Sequence, residues 1–65
     1  MNDLQRRALE YVQNTGRNAT RADFINDHEP IGLNLWTSVN SPGWVATDDT
    51  GSIYVTELGE AAMGV

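Results

Sequence analysis

Apolar and polar residues alternate with the period of an α-helix over the first part of the chain. The apolar positions are Leu4, Ala8, Leu9, Tyr11 and Val12. Asn2 and Gln5 have the spacing of a capping box, in which each side chain bonds a free amide at the start of a helix. Gly16 suits the left-handed conformation that ends many helices. The pattern therefore predicts a first helix over residues 3–14.

Two shorter helical segments follow, with a proline between them. Thr20 and Asp23 repeat the capping-box spacing, which predicts a second helix over residues 21–28. Pro30 ends it, because proline lacks an amide proton and disfavours helical geometry in the residue before it. A third helix is predicted over residues 33–40, where apolar residues recur every third position. These residues are Leu33, Trp36 and Val39.

The last third of the chain has the pattern of a β-hairpin. Residues 44–47 and 53–56 are rich in aromatic and β-branched side chains, and the loop between them, residues 48–52, has the sequence Asp-Asp-Thr-Gly-Ser. Thr56 can then cap a final helical turn over residues 57–63. The predicted fold is small α+β, with three short helices, a two-stranded hairpin and a final helical turn.

Length and composition limit the kinds of protein that this chain can be. A domain of 65 residues hides only about 60% of the surface of its unfolded chain, so residues 1–65 are expected to form one small domain. The sequence contains no cysteine, which excludes disulfides, thiolate metal sites and cysteine nucleophiles. No nucleophile lies beside a base, and there is no glycine-rich phosphate loop. We therefore expect neither an enzyme, nor a cofactor, nor a small-molecule substrate.

Charge is distributed unevenly along the chain. The net charge is −5, there is no lysine, and every charged residue from Asp23 onward is acidic. The basic residues are Arg6, Arg7, Arg17 and Arg21. Most of the surface should repel polyanions, so a phosphate contact would have to use the arginine-bearing part. The sequence has no signal-peptide pattern and no membrane span, which favours a cytoplasmic protein without membrane partners.

Two local motifs resemble those of the winged helix-turn-helix family. Val39 followed by Pro42-Gly43-Trp44-Val45 is similar to the segment that ends the family's third helix and opens its wing. Residues 54–59, Tyr-Val-Thr-Glu-Leu-Gly, resemble the close of the second wing strand. The order of elements matches over nearly the whole chain. The resemblance implies a third helix in the DNA major groove, a second helix that begins at the phosphate backbone, and a wing near the adjacent groove.

This resemblance implies a set of DNA-contacting residues. On the third helix, amide and hydroxyl groups would face the base edges. They belong to Asn34, Thr37, Ser38 and Asn40. Phosphate contacts would come from Arg17, Thr20 and Arg21. The first hypothesis is thus a DNA-binding module with a regulatory or accessory role, whose binding is weak and salt-dependent because few arginines are present.

The same sequence supports an alternative partner class. Residues 30–47 carry no charge and the loop of the hairpin carries two aspartates, whereas DNA-binding wings and recognition helices are usually basic. Low charge is typical of the centre of protein interfaces. The alternative is a protein-interaction module that does not bind DNA, with a homodimer as a special case. Its interface would comprise Leu35, Trp36, Asp48 and Asp49.

The other residues that could take part in catalysis, metal binding or partner binding are mostly expected to have structural roles. His28 lies near Asp27 and Glu29, but no second histidine or cysteine is present to complete a metal site, so we predict no bound metal. Adjacent aspartates at positions 48 and 49 are typical turn formers and lack the spaced ligands of a calcium loop. Trp44 is expected in the core. Trp36 is expected either in the core or as an exposed anchor for a protein partner.

Overall fold

The computed structural model describes residues 1–64 and shows a small α+β fold. This part of the chain contains four helices and one two-stranded antiparallel hairpin. The elements are α1 (Asp3–Thr15), α2 (Arg21–Asp27), α3 (Gly32–Asn40), β1 (Val45–Thr47), β2 (Ile53–Val55) and α4 (Glu57–Met63). Their order and type agree with the sequence prediction. Within residues 1–64, none of the helices has the length and apolar character needed to cross a bilayer.

Capping boxes start the first two helices as predicted, and α1 runs one residue beyond its predicted end, to Thr15. The Asn2 and Gln5 side chains form a reciprocal capping box, and Gly16 ends α1 in the left-handed region at φ 57°. Thr20 and Asp23 form a second capping box at the start of α2. The predicted second helix is one residue too long. His28 is the C-cap of α2, and its backbone is no longer helical, with φ −118°.

The third helix begins at a close contact with α2. Gly32, its first residue, lies so near α2 that an added Cβ would sit 2.1 Å from the carbonyl oxygen of Ile25. This contact places the start of α3 directly against α2. Leu35 and Trp36 point inward with 4% and 5% exposure, whereas Leu33 is 52% exposed. The apolar face predicted through Leu33 is therefore wrong at that position, and Leu35 takes its place in the core.

One hydrophobic core lies between the helices and the hairpin. Phe24 of α2 is at its centre, and its ring makes edge-to-face contacts with those of Trp36 and Tyr11. Trp36 is thus a core residue, while Trp44 is only half-buried and packs against the core from outside. The buried apolar residues are Ala8, Leu9, Val12, Ala19, Phe24, Leu35, Trp36, Val39, Val45 and Ile53.

The hairpin joins the helices through its second strand. Its register pairs Val45 with Val55 and Thr47 with Ile53. On the other side of β2, the Ile53 amide donates to the Ala19 carbonyl at 3.0 Å, and Thr20 forms an isolated bridge with Ser52. The connection between α1 and α2 therefore lies along β2.

Each strand is one residue shorter than predicted, because the residue at its end serves another element. The Trp44 amide bonds back to the Val39 carbonyl of α3. Thr56 is the N-cap of α4, where its hydroxyl accepts from the Gly59 amide at 3.1 Å and donates to the Gly43 carbonyl. The final element is a helix of seven residues.

Candidate nucleic-acid interface

The solvent side of α3 is an uncharged surface that carries amide and hydroxyl groups. Burial of Leu35, Trp36 and Val39 turns the opposite side of the helix toward solvent. We call this side the outer face of α3. It consists of Leu33, Asn34, Thr37 and Asn40, all exposed. Three of the four predicted base-contacting residues therefore lie together on one surface.

The polar groups of the outer face keep hydrogen-bonding capacity for a ligand. The Thr37 hydroxyl donates to the Leu33 carbonyl at 3.0 Å, and its lone pairs still accept. One side-chain N–H of Asn40 donates to the Val45 carbonyl at 3.0 Å, which leaves the other N–H and the amide oxygen. Asn34 is exposed. Such amide and hydroxyl groups can both donate to and accept from base edges.

Ser38, the fourth predicted base contact, lies on the flank of α3 that faces α1. It is half-buried, and its hydroxyl donates to the Leu35 carbonyl at 2.8 Å. The Gln5 side chain of α1 reaches the Ser38 carbonyl at 3.4 Å. Ser38 lines a groove of about 250 Å³ between α1 and α3, together with Leu4 and Ile31. Ser38 is therefore less exposed than the outer face, and its contact with a base stays a prediction.

Arg17 lies against the hairpin. It follows Gly16 and is itself in the left-handed region at φ 66°, a conformation that is uncommon outside glycine. Its guanidinium carbon lies 4.2 Å from the centre of the Tyr54 ring, and its Nη1 is 3.6 Å from Oδ2 of Asp48. The Arg17 side chain nevertheless stays 58% exposed. The hairpin therefore holds the Arg17 side chain in place.

The other two predicted phosphate contacts, Thr20 and Arg21, lie exposed at the start of α2. The Thr20 hydroxyl caps the Asp23 amide at 3.2 Å, and the Asp23 carboxylate accepts from the Thr20 amide at 3.0 Å. A carboxylate thus already occupies the helix start at which Thr20 was expected to meet a phosphate. Arg21 is exposed and forms no ion pair with other residues in the range 1–64.

Asp48 organises the loop of the hairpin, as predicted for a turn former. Its Oδ1 accepts from the Thr50 hydroxyl at 2.7 Å, the Thr50 amide at 2.9 Å and the Ser52 amide at 3.0 Å. The Thr50 hydroxyl is the main reason that the pKa of Asp48 is lowered, with the two amides and the Arg17 charge adding to it. Asp49 is exposed.

The alternative protein interface is not formed by the tryptophan and leucine assigned to it. Leu35 and Trp36 are buried in the core, so they cannot contact a partner without unfolding of α3. The exposed large apolar residues near α3 are instead Leu33 and Ile31, the latter 41% exposed. The rotation of α3 that buries Leu35 is what exposes Leu33.

His28 and Tyr11 belong to an aromatic cluster between α1 and α2. The His28 ring stacks on Phe24 with centroids 4.3 Å apart, and its Nδ1 lies 2.7 Å from the Phe24 carbonyl oxygen. The Tyr11 hydroxyl bonds to the Asp27 carboxylate, and that bond, aided by burial, raises the pKa of Tyr11 to about 12. Within residues 1–64, there is no group of three or more acidic or histidine side chains close enough together to bind a metal ion.

Comparison of the chain with protein-family models, with curated proteins and with solved structures gives no match. Inferences about the site therefore rest on its own geometry. Sequence reasoning did not identify the partner of Arg17, since Tyr54 meets it only through the fold. The one local signal was the pair of turn-forming aspartates, which placed Asp48 at the end of the hairpin.

Proposed function

We propose that this chain is a winged-helix DNA-binding module with a regulatory or accessory role. In this proposal the outer face of α3 enters the major groove, with Arg21 and Arg17 on phosphates. The observation that carries it is the exposure of Asn34, Thr37 and Asn40 on one uncharged surface of α3. These side chains match the donors and acceptors of base edges.

The arrangement of elements supports the same proposal. A turn joins α2 to α3, and the hairpin follows directly, which is the layout of a winged helix. The bonds from Ile53 to Ala19 and between Thr20 and Ser52 hold the hairpin beside the start of α2. Arg21, at the start of α2, therefore lies on the same side of the molecule as the hairpin.

The small number of arginines sets the strength of binding. Each phosphate neutralised contributes about −0.9 to the slope of log affinity against log salt concentration, so two arginines give a slope near −2. Binding by one copy of the chain is accordingly weak, and it weakens further with salt. Residues 48 and 49 add repulsion between the hairpin loop and a duplex.

An NMR titration tests the DNA proposal directly. Isotope-labelled protein is titrated with a mixed-sequence duplex at about 20 mM and about 150 mM salt, a range over which phosphate contacts lose much of their affinity. We expect amide shifts centred on Arg21, Asn34 and Thr37 that shrink at the higher salt concentration. Arg21→Ala should reduce binding about threefold or more, whereas Arg7→Ala, which removes the same charge from α1, should have a smaller effect. Absence of any shift at low salt contradicts the proposal.

A second candidate function is binding of a protein partner. It is favoured by the exposed apolar side chains of Ile31 and Leu33 on a part of the chain without charge. A self-association test covers the homodimer case. If Leu33 is at such an interface, the apparent molecular mass rises with concentration and Leu33→Ser abolishes the rise. A mass that stays that of one chain excludes the homodimer.

A further inference from the structure

The two carboxylate oxygens of Asp48 have separate roles. Oδ1 accepts three hydrogen bonds from within the hairpin loop, two from Thr50 and one from Ser52. Oδ2 instead faces the guanidinium of Arg17 at 3.6 Å. The turn therefore fixes the carboxylate, and the oxygen that is left over points at a predicted phosphate contact.

Arg17 is held on its other side as well. Its guanidinium lies over the Tyr54 ring at 4.2 Å, and its backbone is in the left-handed region directly after Gly16. Two features far apart in the sequence thus fix one side chain. Because the Arg17 side chain remains 58% exposed, the N–H groups that do not face Asp48 or Tyr54 are open to solvent. An anion from solution would meet a guanidinium that is already oriented.

We propose that Asp48 occupies the phosphate position on Arg17 and thereby weakens DNA binding until a backbone phosphate displaces it. This inference rests on the proposed function. Asp48 acts as an internal competitor, because a phosphate that binds the edge of the guanidinium containing Nη1 must take the place of Oδ2. The exchange is feasible because an exposed ion pair at 3.6 Å contributes little stability, whereas a phosphate can bind the guanidinium through two parallel hydrogen bonds.

The chain offers a substitution that separates the two roles of Asp48. Asp48→Asn keeps an oxygen able to accept the bonds from Thr50 and Ser52, and it removes the charge that faces Arg17. Asp49→Asn is the matched control. Asp49 is the adjacent exposed acid, it has no ion pair within residues 1–64, and its substitution changes net charge by the same amount.

The test measures duplex affinity by fluorescence anisotropy at low salt for the native chain and both variants. We expect Asp48→Asn to bind about threefold to fivefold tighter than the native chain, the range for release of one exposed ion pair, and Asp49→Asn to gain less than about twofold. The salt slope of Asp48→Asn should stay at about −2, because Arg17 neutralises the same phosphate in both chains and the variant removes only the cost of displacing Asp48.

A second background verifies that the gain passes through Arg17. In chains that carry Arg17→Ala, adding Asp48→Asn should give no more tightening than adding Asp49→Asn. The amide shifts of Thr50 and Ser52 report whether the hairpin loop is intact in each variant. If Asp48→Asn disturbs the loop, Arg17→Ala alone remains informative, since the proposal predicts that it lowers affinity less than Arg21→Ala does.

The outcomes separate the proposed role of Asp48 from the proposed DNA binding. If the native chain binds DNA and the two asparagine variants gain equally, general charge repulsion explains the effect and the role of Asp48 is overturned, while DNA binding stands. A gain that persists in the Arg17→Ala background overturns it as well. If no variant binds a duplex at low salt, the proposed function and this inference both fall.

Discussion

The hydroxyl of Tyr11 makes the stability of this protein sensitive to alkaline pH. Its bond to Asp27 raises the pKa of Tyr11 from an ordinary value of 10.0 to about 12. Between these values the folded chain retains a proton that the unfolded chain has lost, so the free energy of unfolding falls as pH rises. We expect Tyr11→Phe to be less stable by about 1 kcal/mol near pH 7. The difference in the free energy of unfolding between Tyr11→Phe and the native chain should decrease as the pH approaches 12.

Urea unfolding between neutral and alkaline pH measures this residue-scale effect. Tyr54→Phe is the control, because it removes a tyrosine hydroxyl that forms no hydrogen bond within residues 1–64 while leaving the ring under Arg17. Its unfolding should follow the pH dependence of the native chain more closely. A Tyr11→Phe chain whose stability declines with pH as steeply as that of the native chain contradicts the assignment.

At the scale of elements, α4 depends on a glycine at its contact with the hairpin. A Cβ on Gly59 would lie 2.2 Å from the Trp44 carbonyl oxygen and 2.7 Å from Cγ1 of Val55. Alanine favours an exposed helix by about 1 kcal/mol over glycine, but here overpacking should dominate and destabilise the fold by about 1–3 kcal/mol. Gly59→Ala should therefore lower the melting temperature by several degrees in thermal unfolding.

The neighbouring position provides the control for this substitution. Glu60 is exposed on the same helix, so Glu60→Ala should change stability by about 0.5 kcal/mol or less. A Gly59→Ala chain that is more stable than the native one would mean that α4 is not closely packed against Trp44 and β2.

Element boundaries could be predicted from the sequence where a cap determines them, and less well elsewhere. Asn2, Thr20 and Thr56 each start a helix through a bond to an amide three positions on, which is a local signal. The rotation of α3 has no such signal. Leu33 and Leu35 are equally apolar, and only the packing of α3 against the rest of the core decides which of them is buried.

At the scale of the whole molecule, charge repulsion opposes folding. The chain has nine acidic residues and only four arginines. Within residues 1–64, Arg17–Asp48 is the one side-chain ion pair. Salt should therefore screen more repulsion than attraction. We expect the melting temperature to rise by a few degrees as sodium chloride increases from about 10 mM to about 200 mM.

Choline chloride serves as the comparison in this thermal experiment, since screening depends on ionic strength rather than on the cation. A rise in both salts supports net repulsion. A melting temperature that falls with salt would show that attraction between opposite charges dominates the folded surface instead.

The candidate interface could be predicted from the sequence only in part, for reasons that belong to the molecule as a whole. Asn34, Thr37 and Asn40 could be predicted as solvent-facing because they are the polar residues of an amphipathic helix, whereas the exposure of Leu33 beside them could not. The environment of Arg17 does not, because Tyr54 and Asp48 reach it only after the hairpin has folded against the helices. Local patterns predict which side of a helix is polar, whereas pairs between distant segments require the tertiary structure.

The position of the α1–α2 connection along β2 also bears on how the chain avoids aggregation. Bonds to Ala19 and Thr20 cover one side of the hairpin, so β1 is its open edge. Open edges recruit strands from other chains when they are long and flat. Here the edge is three residues long, from Val45 to Thr47, and it leads into two aspartates. An incoming strand would find few backbone groups to pair with and a negative charge beside them.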